Sequence, residues 1–236
     1  MSFIDVIIAQ IVPHDCLQCG VEGDLLCFSC HEQLPKAPML CYKCGAPSLG
    51  GMTCSICLLV TDLTEVRVVT NYDGVAKNLL YKLKLAGTQA AASVIARKLH
   101  EVLGDLDPDS IIVPVPTATS RVRQRGYDQA RLIARELSKL TGIPCYSVLA
   151  RSGQRHQHGL SRRERLTQLT DAYRVTKPYM VQARPIILID DVMTTGATLE
   201  AAAHVMAAAG ATHVGAIVFA QPLVRPMTAS QQHNID

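Results

Sequence analysis

Residues 185–200, Pro-Ile-Ile-Leu-Ile-Asp-Asp-Val-Met-Thr-Thr-Gly-Ala-Thr-Leu-Glu, constrain this chain more than any other stretch. Ile186, Ile187, Leu188 and Ile189 follow one another without a polar residue, the pattern of a strand buried on both faces. The adjacent carboxylates Asp190 and Asp191 are expected to end that strand. A turn of hydroxyls and one glycine follows, Thr194-Thr195-Gly196-Ala197-Thr198. The alanine-rich run from Leu199 to Ala209 then reads as a helix that stops at Gly210. Strand, small-residue loop and helix N-terminus make an anion site, because loop amides and the helix dipole converge on one point. Gly196 allows close backbone approach. A solvated Asp-Asp turn with Thr198 as a plain helix cap is the bland alternative. Two acids at the end of a buried strand weigh against it, since they are costly unless they bind something. They also repel a bare phosphate, so the expected ligand carries sugar hydroxyls or a bound Mg²⁺ as well. A ribose 5-phosphate meets both demands.

The rest of residues 61–225 reads as the α/β domain that such a strand requires. Val66 to Thr70 alternates as a strand, with a turn at Asn71-Tyr72-Asp73-Gly74. Helical patterns cover Val75–Leu85 and Ala90–Leu103. Ile111 to Val113 is a buried strand ending in Pro114-Val115-Pro116-Thr117. Asp128 to Leu140 reads as a helix closed by Gly142 and Pro144, Tyr146 to Ala150 as a strand, and Val214 to Ala220 as the last strand. Strands alternating with helices predict a largely parallel sheet flanked by helices, with ligands gathered beyond the strands' carboxyl ends.

Residues 1–60 are a different kind of chain. Eight of the nine cysteines form four Cys-x-x-Cys pairs: Cys16/Cys19, Cys27/Cys30, Cys41/Cys44 and Cys54/Cys57. Each pair presents two thiolates to one ion, and two pairs complete a tetrahedral sulfur shell suited to Zn²⁺. Two structural zinc sites in a zinc-ribbon-like module are therefore expected. Sequential and interleaved pairings are both open to the sequence. Redox pairs rarely come in such a series, and no βαβ pattern surrounds these. Ahead of them, Phe3, Ile4, Ile7, Ile8 and Ile11 recur at helical spacing; with no basic flank, this reads as a packing helix rather than a signal peptide. Cys145 reads as a small core residue.

Charge and composition narrow the function. A net charge of +3 is too mild to imply nucleic acid by itself. No apolar run is long enough to span a membrane. Aromatics make up 4% of the chain with no Trp, so a base-stacking surface would be sparse, with Tyr127 its best candidate. Basic residues concentrate in Arg121 to Arg125 and in Arg151 to Arg165. A charged run is most often a solvated face; a diphosphate ligand facing the acidic strand end would call for such cations. Lys82 and Lys84 could join the same field.

Two resemblances sharpen these readings. Ile187 to Thr198 resembles the phosphoribosyl pyrophosphate (PRPP) motif of type I phosphoribosyltransferases. The chain as a whole is similar to the ComF/GntX family. The shared marks, in order, are the Cys-x-x-Cys pairs, Tyr72-Asp73-Gly74, Lys84 to Gly87, Val113-Pro114-Val115-Pro116, Arg125 to Ala130 and the PRPP motif. Asp128 stands where that family usually has Asn, and Thr167 falls near another usual Asn. The resemblance implies that Asp190 and Asp191 hold ribose hydroxyls and are the catalytic pair. It implies that Met193, Thr194, Thr195, Gly196, Ala197 and Thr198 line the 5-phosphate. Lys84, Pro116, Arg121, Arg125, Gln157, Arg162 and Arg165, with Mg²⁺, would serve the diphosphate and its loop. It also implies a cytoplasmic role in natural transformation, alongside single-stranded DNA and other competence proteins. Two function classes follow: a phosphoribosyltransferase with an unnamed acceptor, and a non-catalytic, PRPP-sensing factor that binds single-stranded DNA. A glutamine-dependent amidotransferase is disfavoured because the chain opens Met1-Ser2 without a nucleophilic cysteine, and a transcription regulator because no helix-turn-helix pattern is present. Residues 226–236 read as a tail.

Overall fold

The computed structural model of the chain describes residues 14–151 and 172–223. In chain order its elements are β1 (His14–Asp15), β2 (Glu22–Gly23), α1 (Phe28–Glu32), α2 (Ser55–Leu58), β3 (Glu65–Asn71), α3 (Gly74–Lys84), α4 (Ala90–Val102), β4 (Ile111–Pro114), α5 (Thr119–Arg125), α6 (Gln129–Thr141), β5 (Leu149–Arg151), β6 (Tyr173–Val175), β7 (Pro185–Val192), α7 (Ala197–Ala208) and β8 (His213–Gln221). The expected N-terminal helix, the loop residues Gln157, Arg162 and Arg165, and the tail lie outside the described residues.

The central sheet has the order β3-β8-β7-β4, and every pairing in it is parallel. Side chains on a strand alternate between faces, and β7 shows what that does to an unbroken aliphatic run. Ile187 and Ile189 enter one core with Leu79, Leu83, Ile95, Leu99 and Ile133. Ile186 and Leu188 enter the other with Leu199, Ala202 and Met206. Helices thus cover both faces, as the buried strand requires.

The cysteine-rich segment shares these cores. Leu25, Leu26 and Leu34 belong to the cluster that holds Leu79 and Leu99, while Ala37 and Leu63 belong to the cluster that holds Val66, Val68 and Met193. No helix of the described residues is long and apolar enough to cross a membrane.

Three local expectations shift. β7 continues through Asp190 and Asp191, with Asp190 opposite Val218 and Val192 opposite Ala220; β8 extends far enough to keep offering ladder partners. The strand expected over Tyr146–Ala150 is split. Pro144 and Tyr146 bond Ile112 on the outer edge of β4, whereas β5 turns away to pair with β6. Finally, α7 begins at Ala197 behind a left-handed Gly196, so Thr198 lies inside the helix and does not cap it.

Asp128 shows how an acid works at a position where the resemblance expects Asn. It is the N-cap of α6, and Oδ1 accepts from the Arg131 amide at 3.3 Å. Its Oδ2 accepts from the Thr117 amide at 2.9 Å, tying α6 to the loop after β4. Asp128→Ala should lower stability by about 1–2 kcal/mol, while Asp128→Asn, whose single amide oxygen can keep the Arg131 or the Thr117 bond but not both, should lose less than that. Urea denaturation of the two variants checks this.

Candidate functional site

The loop between β7 and α7 has the geometry of an anion cradle. Gly196 takes φ of 79°, open to glycine and strained for other residues, and turns the chain into α7. No side chain caps that helix, and Thr195 Oγ1 reaches only the Ala197 amide, at 3.4 Å. The remaining first-turn amides and the positive end of the helix dipole face whatever occupies the loop. Thr194, Thr195 and Thr198 are exposed there, while Met193 is buried beneath.

Because β7 runs on past them, the two acids point to opposite faces of the sheet. Asp191 is buried and its Oδ2 lies 2.9 Å from Lys84 Nζ, at the end of α3. Asp190 is half-buried toward the other face, and its Oδ1 accepts from the Asp191 amide at 2.8 Å. Desolvation, with the Asp191 carboxylate second, raises the Asp190 carboxyl well above the ordinary carboxylate range; the Asp191 amide and, after it, Lys84 only partly offset this. The acids are therefore not a matched pair. One is a neutralised anchor; the other is an unspent carboxylate at the loop's edge.

Other expected site residues fall in the segment that follows β4. Pro116 comes one residue after Val115, whose amide donates to the Ile189 carbonyl of β7. Arg121 is exposed on α5, and Arg125 Nη1 donates to Gln129 at 2.9 Å, its Nε having no partner among the described residues. Tyr127 is not an open stacking platform. Its hydroxyl donates to the Leu83 carbonyl and its ring packs against the core, which bolts α6 to α3. Tyr173 was not foreseen: it is buried on β6 with Arg151 over its ring at 5.9 Å, and burial raises its phenol pKa, with Arg151 pulling it down and Asp190 adding to the rise. The stem of the basic segment is thereby placed near Asp190.

The eight cysteines resolve into two sequential groups, Cys16/Cys19/Cys27/Cys30 and Cys41/Cys44/Cys54/Cys57, each with all four sulfurs within 4.8 Å. Cys19 and Cys27 sulfurs are 3.7 Å apart, and those of Cys44 and Cys54 3.8 Å. Sulfurs about 2.3 Å from a central zinc stand about 3.8 Å from one another, so each shell has the size for that ion and is far too wide for a disulfide. Backbone amides aim at the sulfurs as well. Burial works against the Cys16 thiolate, yet the amides of Cys19, Cys27 and Gln18 outweigh it and bring the thiol down to about 6. Cys41 is likewise brought to about 6, against burial, by the amides of Cys44, Cys54 and Lys43. Burial and the neighbouring sulfurs push Cys30 and Cys57 up to about 12. Such a shell suits a divalent cation. A bound zinc would supply a structural tie between its two knuckles. His31, Glu32 and Glu101 form a third cluster, but Glu101 is already paired with the buried Lys98 at 2.8 Å.

A pocket of about 320 Å³ lies between the first cysteine group and the start of α3, lined by Gln33, Thr70, Asn71 and Asp73 among others, and one of about 260 Å³ is lined by Leu34, Arg67 and Lys98 among others. A much smaller one, about 70 Å³, lies between the second cysteine group and the loop, lined by Leu40, Tyr42, Met193 and Thr194. That small pocket touches the β7–α7 loop through Met193 and Thr194. Tyr42, which lines it, and the adjacent Lys43 were not foreseen as site residues. The only sequence signal for them is that both fall between Cys41 and Cys44, where a knuckle must expose them.

A family model described as the phosphoribosyl transferase domain matches residues 85–229. The chain is 30% identical to the competence protein ComFC of Bacillus subtilis over 189 residues, 76% of each chain. It is 32% identical to the DNA utilization protein YhgH of Escherichia coli K12 over 218 residues, 86% of this chain and 95% of that one. Competence protein F of Haemophilus influenzae is 29% identical over 205 residues, 78% of this chain and 86% of that one. Among solved structures, the allosteric regulatory enzyme of purine biosynthesis matches with a TM-score of 0.43 and 18% identity, over 59% of this chain and 28% of that one.

Proposed function

Because this chain belongs to the ComF family and carries its phosphoribosyl transferase domain, we propose that it binds PRPP at the β7–α7 loop and serves the uptake and use of external DNA in the cytoplasm. The observation that carries this reading is the uncapped N-terminus of α7 set beside the unspent carboxylate of Asp190. A phosphate needs the first and a ribose the second. Thr194 to Thr198 would take the 5-phosphate, and Asp190 the ribose hydroxyls. Asp191 would act through Lys84, holding that ammonium where a diphosphate's charge could be met, with Arg121, Arg125 and the loop at Pro116 on the same side. Mg²⁺ carried in on the diphosphate would spread that group's charge.

Phosphoribosyl transfer would break the bond from the anomeric carbon to the diphosphate oxygen, the electron pair leaving with diphosphate. The acceptor would then bond that carbon and give up its proton. The protein's part is to hold the ring, shield the cationic carbon and stabilise the departing charge. A second reading, a DNA-handling protein that senses PRPP without turnover, is favoured by the exposure of Arg121 and Arg123 on α5 and of Tyr81 on α3.

Calorimetry decides the common core of both readings: PRPP should bind, and ribose 5-phosphate should compete for the same site. Absence of PRPP binding would sink them together. Diphosphate release in the presence of nucleobases, small amines and single-stranded DNA then separates them. Release marks a transferase, whereas binding without release, with DNA retained in a salt-dependent manner, marks the sensor.

A further inference from the structure

The phosphate loop does not hold its shape alone. A methyl placed on Gly196 would lie 3.1 and 3.3 Å from ring carbons of Tyr42, so the ring is already pressed against the turn. The Tyr42 hydroxyl donates to Glu200 Oε1 at 3.0 Å and, having one proton, accepts at 2.6 Å from Thr61. Lys43 pairs with the same Glu200 carboxylate. Glu200 is the acid in the first turn of α7. An acid there complements the helix dipole and would contend with any bound phosphate; Lys43 and Tyr42 engage it instead. The residues that do this are the two between Cys41 and Cys44, one knuckle of the second sulfur shell.

We propose that this knuckle is a clamp on the phosphate loop, with Tyr42 and Lys43 as positioning residues: Tyr42 fixes Gly196, and Lys43 neutralises Glu200. The site's affinity for a phosphate ester is then set from within the metal-binding module. The affinity half of the proposal rests on the phosphate reading given above; the shaping of the loop does not.

The test uses the full-length, zinc-loaded protein, with zinc content confirmed for each variant. Hydrogen exchange at the amides of residues 194–199 is measured without ligand, and ribose 5-phosphate is titrated by calorimetry. Tyr42→Ala should speed loop exchange and weaken ribose 5-phosphate about tenfold, whereas Tyr42→Phe, which keeps the ring on Gly196, should restore most of the protection. Lys43→Ala should weaken the ligand roughly fivefold, and that loss should vanish in a Glu200→Gln background, where there is no charge left to neutralise. A purely structural lysine would not show that dependence. Unchanged loop exchange in Tyr42→Ala overturns the clamp, and a Lys43→Ala defect that persists with Glu200→Gln overturns the electrostatic role. If wild-type protein binds no ribose 5-phosphate, the phosphate reading and the affinity half fall, and exchange still decides the clamp. Lys43 and Glu200 lie at the surface, so these two variants carry the test should Tyr42→Ala fold poorly.

Discussion

Asp190→Asn should abolish PRPP binding in calorimetry and raise the melting temperature in the same protein. The two effects share one cause. Asp190 is half-buried, its charge is disfavoured first by desolvation and then by Asp191, and its carboxyl sits well above the usual range. For a carboxyl raised in the folded state, stability falls as pH rises from the unfolded value toward the folded one, because the unfolded chain gives up its proton first. Above both values the full cost is present. Asparagine removes the charge and that cost, so a gain of about 2–4 °C at pH 8 is expected for each kcal/mol relieved. The gain should shrink as pH falls and disappear below the ordinary carboxylate range, where both states hold the proton. Binding moves the other way. Hydrogen bonds from ribose hydroxyls to a charged acceptor are worth about 1.5–3 kcal/mol each, so losing two costs about two to four orders of magnitude in affinity, enough to take binding out of calorimetric range. Asp191→Asn should instead destabilise, by about 1–3 kcal/mol, because it strands a Lys84 whose side chain is mostly enclosed. If Asp190→Asn binds PRPP as wild type does, the ribose is not where we place it.

Stripping the metal should cost more than any single substitution. The two shells contain cysteines that are themselves core residues, Cys41 at 0% exposure and Cys16 at 3%. Each shell also fixes neighbours that complete the main cores, Leu25 and Leu26 on one face of the sheet and Ala37 and Leu63 on the other. Structural zinc in finger peptides binds with about 10–16 kcal/mol at neutral pH, while a whole domain is stable by only about 5–15 kcal/mol. Chelation under reducing conditions should therefore abolish cooperative unfolding in scanning calorimetry. Two zinc ions per chain, one for each group of four cysteines, should be released. Uptake must also release protons, since without metal the Cys30 and Cys57 thiols sit at about 12. Reconstitution in buffers of differing ionisation enthalpy measures that count. Retention weakens as pH falls, because protons compete for the same sulfurs. A protein that loses both ions and still melts cooperatively at the same temperature would refute the structural role.

The sequence made the local devices legible and concealed how they meet. A strand buried on both faces and a glycine turn into an alanine-rich helix are written within sixteen residues, so β7 and α7 could be read directly. The cysteine pairs announced two ions, and only geometry chose the sequential pairing. What could not be read depends on distant partners. The extension of β7 past Ile189 comes from β8, and it sends Asp190 and Asp191 to opposite faces. Tyr127 looked like a free aromatic among arginines until α3 offered it the Leu83 carbonyl. Lys43 and Glu200 are 157 positions apart; no periodicity or local motif links residues at that distance, and only the fold brings them together.

The place of β8 in the sheet has a consequence for how the molecule is made. It is the last of the described strands to leave the ribosome, yet it lies between β3 and β7 and supplies a hydrogen-bonding partner to each. Until it arrives, both neighbours carry bare edges flanked by aliphatic side chains, the kind of surface that seeks partners in other chains. Nascent chains halted before His213 should thus be drawn to chaperones or into aggregates, whatever metal their early cysteines have already gathered. Completion of the sheet, and of the cradle at its carboxyl edge, waits for β8.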